Sequence, residues 1–272
     1  MTKRTFWMIF AAAALCVLMG GCETAKPSGT GPAARPKPEG ISEAQLAAPA
    51  EGALIATVST TKGDFSLVLF PDEAPMAVEN FAGLAQQGYY DGLPFHRVIE
   101  GFLIQTCDAG GTGGGGDTIW SGNAYPNEIS DALHHYAGAV AMAHAQGDAA
   151  GNRSQFYIVQ SAPDSVDGAL AKTLEEAGVR EDVVAAYRAV GGAPYLDNLN
   201  TVFGQVYAGM EVVDAIAAVE CGENDCPLEP VVVNSVTIGT YTAAAAPDAG
   251  TDSSAASTDG AGSSDASAAG AE

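Results

Sequence analysis

Short apolar runs broken by glycine-bearing turns recur between Leu54 and Ile238, and they limit what this chain can fold into. Residues 54–59 and 64–70 are joined by Thr60-Thr61-Lys62-Gly63, which is a hairpin signal. Residues 154–160, 196–206 and 231–238 read as further strand or turn-and-strand segments. Helical periodicity is confined to a few places. Pro75 opens one helix with Val78, Phe81, Ala82 and Ala85 as its stripe, and Gly88 ends it. Residues 167–190 read as two short helices broken at Gly178, the second with Val183, Val184, Tyr187 and Val190 inward. Residues 209–219 form another, with Val212, Val213, Ile216 and Val219 inward. Many short strands and few helices point to a closed or nearly closed β structure.

The two ends do not look globular. Lys3 and Arg4 precede an apolar stretch, residues 6–19, that is short for a membrane span. Leu18-Met19-Gly20-Gly21-Cys22 resembles a bacterial lipobox, so residues 1–21 are expected to be a lipoprotein signal peptide and Cys22 the lipidated residue. That places the protein in the bacterial cell envelope, lipid-anchored on the outer side of the cytoplasmic membrane. Residues 22–51, rich in Pro, Ala, Gly and Lys, read as a flexible tether. Residues 241–272 are mostly Ala, Ser, Gly and Asp and read as a disordered tail. One domain is left, residues 52–240, with an insertion at about 164–194. The 11 basic and 33 acidic residues of the 272-residue chain give a formal charge of −22, which argues against a nucleic-acid partner.

Other site chemistries find little support. The glycine run 110–116 lacks the Gly-Lys-Ser/Thr of a phosphate loop and reads as a mobile surface loop. No Gly-x-Ser-x-Gly elbow is present, and no carboxylate pair stands out. His96, His134, His135 and His144 lack metal-ligand spacing, with His134 and His135 expected at the surface and His96 packed. Cys221 and Cys226 could close a small disulfide loop, leaving Cys107 as a free thiol.

Residues 95–105, Phe-His-Arg-Val-Ile-Glu-Gly-Phe-Leu-Ile-Gln, put one arginine and one amide into an apolar segment. In an extended chain Arg97, Ile99, Leu103 and Gln105 share a face, and a turn or bulge at Glu100-Gly101 would bring Phe102 round. A cation and an amide beside an apolar surface suit a ligand with an apolar ring next to a carbonyl. A core strand with one snorkelling arginine fits the same residues.

The same stretch resembles the signature of cyclophilin-type peptidyl-prolyl isomerases. Met142-Ala143-His144, Ser154-Gln155-Phe156-Tyr157-Ile158, Tyr195-Leu196-Asp197 and Thr201-Val202-Phe203-Gly204 resemble later blocks of that family in the same order. The resemblance implies a mainly β fold: a closed eight-stranded antiparallel barrel capped by two helices, those starting near Pro75 and Gly209. It implies isomerisation of X–Pro bonds in proline-containing polypeptides, by a monomer with no metal or other cofactor. Arg97 and Gln105 match the catalytic pair. Phe102, Leu103, Tyr157 and Leu196 match the walls of the proline pocket, and Ala143, His144 and Gln155 match groove contacts.

The chain departs from the eukaryotic pattern at several of these positions. His144 stands for an asparagine, Tyr157 for a phenylalanine, Tyr195 for a tryptophan and Asn200 for a pocket histidine. The Tyr157 substitution adds a hydroxyl at the pocket. The Tyr195 and Asn200 substitutions keep open a scaffold that holds proline segments without turnover.

Overall fold

The computed structural model describes residues 40–110, 115–145 and 147–243. The signal segment, Cys22, most of the expected tether, most of the glycine run and nearly all of the acidic tail lie outside these residues.

The described residues form eight strands and four α-helices. In chain order these are β1 (Leu54–Thr60), β2 (Gly63–Leu69), α1 (Pro75–Gln86), β3 (Phe95–Ile99), β4 (Leu103–Thr106), β5 (Ala139–Met142) and β6 (Phe156–Val159). Then come α2 (Gly168–Glu176), α3 (Glu181–Val190), β7 (Val202–Ala208), α4 (Met210–Ala217) and β8 (Val233–Thr240). The strands make one antiparallel sheet in the order β3-β4-β6-β5-β7-β2-β1-β8.

The expected closed barrel is corrected to a sheet whose ladder stays open between β3 and β8. Those edges meet only at an isolated Pro94–Val232 bridge and at hydrogen bonds beside it, such as Phe95 N to Val231 O at 2.9 Å. Pro94 is tolerated there because the bonds run through its neighbours, Val233 N to Leu93 O at 2.9 Å and Phe95 N to Val231 O, so its missing N–H is not called on.

Side-chain alternation gives the sheet two apolar faces. Ile104, Val140, Met142, Phe156, Ile158 and Phe203 point into the main core with Phe65, Leu67 and Phe81. Their neighbours Leu103, Ala139, Ala141, Tyr157, Val159 and Val202 form a second cluster on the opposite face. The strands β5 and β6 are therefore buried throughout, which explains their unbroken apolar sequence. Both expected capping helices are present. Helix α1 starts with Pro75 at its first turn and packs on β8. Helix α4 packs against β2, β3 and β4. Its N-cap, Gly209, has φ +81°, and a Cβ there would lie 2.6 Å from Asp64 O, so only glycine fits without strain.

The insertion holds α2 and α3, and Asp167 caps α2 by accepting from the N–H groups of Ala169 and Leu170. Val183, Val184, Ala186, Tyr187 and Val190 of α3 pack with Tyr136 and Val166. Asp197 ties this cluster to the sheet. Its Oδ1 accepts from His135 N (2.8 Å) and His135 Nδ1 (2.9 Å), while its Oδ2 accepts from His134 Nδ1 (3.0 Å) and Tyr187 Oη (2.8 Å). Burial alone would raise the Asp197 carboxyl, but the bonds from His134 and His135 outweigh it and hold the group well below the usual carboxylate range. The expectation that His134 and His135 are surface residues is thus corrected. His135 is 1% exposed and His134 is half-buried, because Asp197 gives both rings a charged acceptor.

The end of the expected tether is also structured. Gln45 is 1% exposed, donates to His134 O (2.8 Å) and Gln205 Oε1 (3.0 Å), and accepts from His134 N (2.8 Å). Glu43 is buried and pairs with Arg180 at 2.8 Å. This side-chain matching orders residues 41–49, although their composition reads as linker.

Two outcomes follow. Gln45→Ala leaves buried partners unsatisfied and should cost about 1–3 kcal/mol in urea unfolding. Asp197→Asn should cost about 3 kcal/mol at neutral pH. A carboxyl depressed on folding stabilises above pH about 4, and that contribution is lost as pH falls through the folded value. The Asp197→Asn stability profile should therefore fall less steeply in acid than the parent, and parallel profiles would contradict the assignment.

Candidate functional site

The stretch 95–105 is a hairpin, not one extended strand. Gly101 has φ +78°, and Phe102 N donates to Ile99 O at 3.1 Å across the turn. Arg97 and Gln105 consequently sit opposite each other on paired strands. A register shift falls between Phe95 and Arg97: Phe95 pairs Thr106 and Arg97 pairs Gln105, so His96 is an extra residue. Without this bulge, Phe95 and Arg97 would share a face. With it, Phe95 enters the core and Arg97 turns out with Gln105.

Arg97 and Gln105 line a groove of about 720 Å³, together with Phe102, Leu103, Ala143, His144, Tyr157, Leu196 and Asn200. Nine of the eleven groove residues expected from the sequence are thus brought together. Gln155 lies behind, buried, accepting from Gln105 Nε2 at 3.1 Å and donating to Gly115 O at 2.6 Å. Tyr195 stands outside on the 3₁₀ turn Pro194–Leu196. It is 63% exposed, with its ring 5.9 Å from that of Phe102. Asn127, Asn198 and Leu199 line the groove too, and no motif in the sequence marks them.

The groove floor belongs to the second apolar cluster, with Phe102, Ala143 and Leu196 half-buried against Leu103 and Tyr157. Among the described lining residues, Arg97 carries the only permanent charge. Its Nε donates to Asp225 Oδ2 at 3.4 Å, an exposed pair of the kind that contributes little to stability. The remaining guanidinium N–H groups can serve a ligand. The hydroxyl expected at the pocket from Tyr157 is corrected. It bonds instead to His135 Nε2 (2.9 Å) and Asn200 Nδ2 (3.0 Å), so the ring and not the oxygen serves the groove. Burial pushes this phenol well above its ordinary value, and the Asn200 bond only partly offsets that. His144 Nδ1 bonds to Ala145 O at 2.9 Å.

The three described cysteines do not build a site. The expected Cys221–Cys226 disulfide is corrected: both thiols are free, and they face different carbonyls, Cys221 near Val98 O and Cys226 near Pro227 O. Burial pushes the Cys107 thiol far up, against a weaker opposing bond to Thr106, which leaves it unreactive.

This arrangement has known counterparts. Residues 55–238 match the family model for cyclophilin type peptidyl-prolyl cis-trans isomerases. A Staphylococcus aureus (strain USA300) protein named as a candidate peptidyl-prolyl cis-trans isomerase is 40% identical over 188 residues, 69% of this chain and 93% of its own. A candidate bifunctional phosphatase/peptidyl-prolyl cis-trans isomerase of Streptococcus pyogenes is 45% identical over 184 residues. That alignment covers 67% of this chain but only 38% of the streptococcal protein. A Cryptosporidium parvum cyclophilin crystallised in the presence of the dipeptide Ala-Pro superposes with a TM-score of 0.55 at 26% identity, over 69% of this chain and 99% of that one. The match across residues 55–238 and the 40% identity to nearly full-length isomerase relatives establish that this chain belongs to the cyclophilin-type peptidyl-prolyl cis-trans isomerase family.

Proposed function

We propose that the groove beside Arg97 is the catalytic site, and that it isomerises X–Pro bonds in exported proteins. The observation that carries this reading is the pairing of one cation, Arg97, with an apolar floor built from Phe102, Leu103, Tyr157 and Leu196. The X–Pro amide resists rotation by about 18–20 kcal/mol because of its resonance. Twisting it removes that resonance, and the prolyl nitrogen becomes a better hydrogen-bond acceptor. A guanidinium N–H of Arg97 donates to that nitrogen, or to the neighbouring carbonyl, in the twisted geometry. This favours the transition state over either planar isomer. The apolar floor holds the proline ring while the preceding carbonyl swings, and Gln105, bonded to buried Gln155, supports the rim beside the arginine. No bond is made or broken, and the chemistry needs no cofactor.

The export route is part of the same proposal. The signal-like segment and Cys22 support a lipid-anchored protein that meets its substrates outside the cytoplasmic membrane.

Arg97→Ala in the full chain should lower kcat/KM on a proline peptide by about 100-fold or more, measured by NMR exchange. Its unfolding free energy should stay within about 0.5 kcal/mol, since Arg97 is partly exposed and its ion pair is weak. Arg97→Lys should recover little, lacking the planar fork. Undiminished activity in Arg97→Ala would sink the mechanism. For the anchor, a fatty-acid probe should label the wild type and not Cys22→Ser, and an unlabelled wild type would refute it.

A further inference from the structure

We infer that His135 is a positioning residue for the isomerase site, acting through Tyr157 to set which way the Asn200 amide faces the groove. The inference rests on the groove being the substrate site. His135 itself touches no substrate position. It lies 1% exposed beneath the floor, with its ring stacked at 17° on that of Tyr157, centroids 6.0 Å apart.

The direction of each hydrogen bond follows from the one before. The Asp197 carboxylate only accepts, so His135 Nδ1 must carry a proton. In the neutral ring Nε2 is then an acceptor, and the Tyr157 hydroxyl, 2.9 Å away, donates to it. The Tyr157 oxygen keeps its lone pairs and accepts from Asn200 Nδ2 at 3.0 Å. The Asn200 side chain lines the groove and has its N–H₂ end turned inward, so Oδ1 is the atom it offers a substrate. The reverse polarity would need a doubly protonated His135 donating to the Tyr157 oxygen and an Asn200 amide turned to put Oδ1 inward, so the proton pattern of His135 decides which end of Asn200 meets the groove.

The relay begins at the insertion. Tyr187 of α3 and His134 fill the second oxygen of Asp197. Asp197 stands between Leu196 and Asn198, both of which line the groove. Helix α3 thus helps fix the acceptor that addresses the groove. The substrate group that reads Asn200 is a hydrogen-bond donor, such as a backbone N–H next to the proline.

The first test needs no mutation. Long-range ¹⁵N–¹H NMR of the full chain at neutral pH should show His135 protonated at Nδ1 and bare at Nε2. An Nε2–H tautomer or an imidazolium would overturn the relay. The second is a double-mutant cycle on isomerase kinetics. Tyr157→Phe and His135→Phe should each raise KM about fivefold, the weight of one neutral hydrogen bond, with kcat little changed. The pair together should be no worse than Tyr157→Phe alone. Equal cost of His135→Phe with and without the Tyr157 hydroxyl would mean a merely structural role, and would refute the proposal. If His135→Phe does not fold, the tautomer measurement decides. Arg97→Ala in the same assay separates the two readings: full activity there defeats the groove assignment and leaves the tautomer result standing.

Discussion

The bulge at His96 decides what this sheet can do. Two residues apart on a regular strand, Phe95 and Arg97 would point the same way. Phe95 would then drag Arg97 into the core, or Arg97 would draw Phe95 into solvent. The extra residue between them breaks the alternation, so an aromatic anchor and a cation are placed on opposite faces within three positions. Phe95 is also where the open ladder is pinned, through its N–H to Val231 O. The same local device therefore anchors the sheet edge and aims the arginine. His96 packs, as its sequence context led one to expect, with burial lowering its affinity for a proton.

A second constraint is that the middle of the sheet is apolar on both sides. One face fills the core, so the other needs a cover. The cover comes from the segment around Ala193 and Leu196 and from Leu133, and the groove is where it leaves the floor bare. That makes the segment between α3 and β7 as important to the site as the strands. Its fixed point is Asp197. A half-buried carboxylate that accepts four hydrogen bonds, three from side chains and one from the backbone N–H of His135, cannot shift without stranding all of them. The insertion reads from sequence as an accessory to the domain, yet Tyr187 makes it part of the groove's support.

Much of this was legible in the residues alone. Period-two and period-3.6 patterns located β1, β2, α1 and the stripe of α3, since each buries one continuous face. The family blocks identified nine residues that the fold assembles into the groove. What stayed hidden depends on partners far apart in the chain. His134-His135 looks like a polar surface pair until Asp197, more than 60 residues later, supplies acceptors. Gln45 sits in linker-like composition, and its order comes from the backbone of His134, 89 residues away. The hairpin turn at Glu100-Gly101 was one of the options there, but the Arg97–Gln105 register needed the bulge, and a bulge is set by what the partner strand must bury. Tyr195 went the other way. Family position put it among the pocket residues, whereas the turn it occupies leaves it exposed beside Phe102.

The substitution of tyrosine at position 157 shows how these constraints combine. A hydroxyl facing an apolar ring would need desolvation on every binding event and would weaken the pocket it lines. Here the hydroxyl is turned away and satisfied twice, by His135 and Asn200, so the groove keeps an aromatic wall. That solution works only because His135 is buried and held by its other nitrogen, and His135 is held only because Asp197 is in place. A change that looks like a local addition of one oxygen thus depends on a polar chain reaching back to α3. The polar interior and the apolar floor are two sides of one arrangement, in which the Tyr157 hydroxyl and both ring nitrogens of His135 are committed before a substrate arrives.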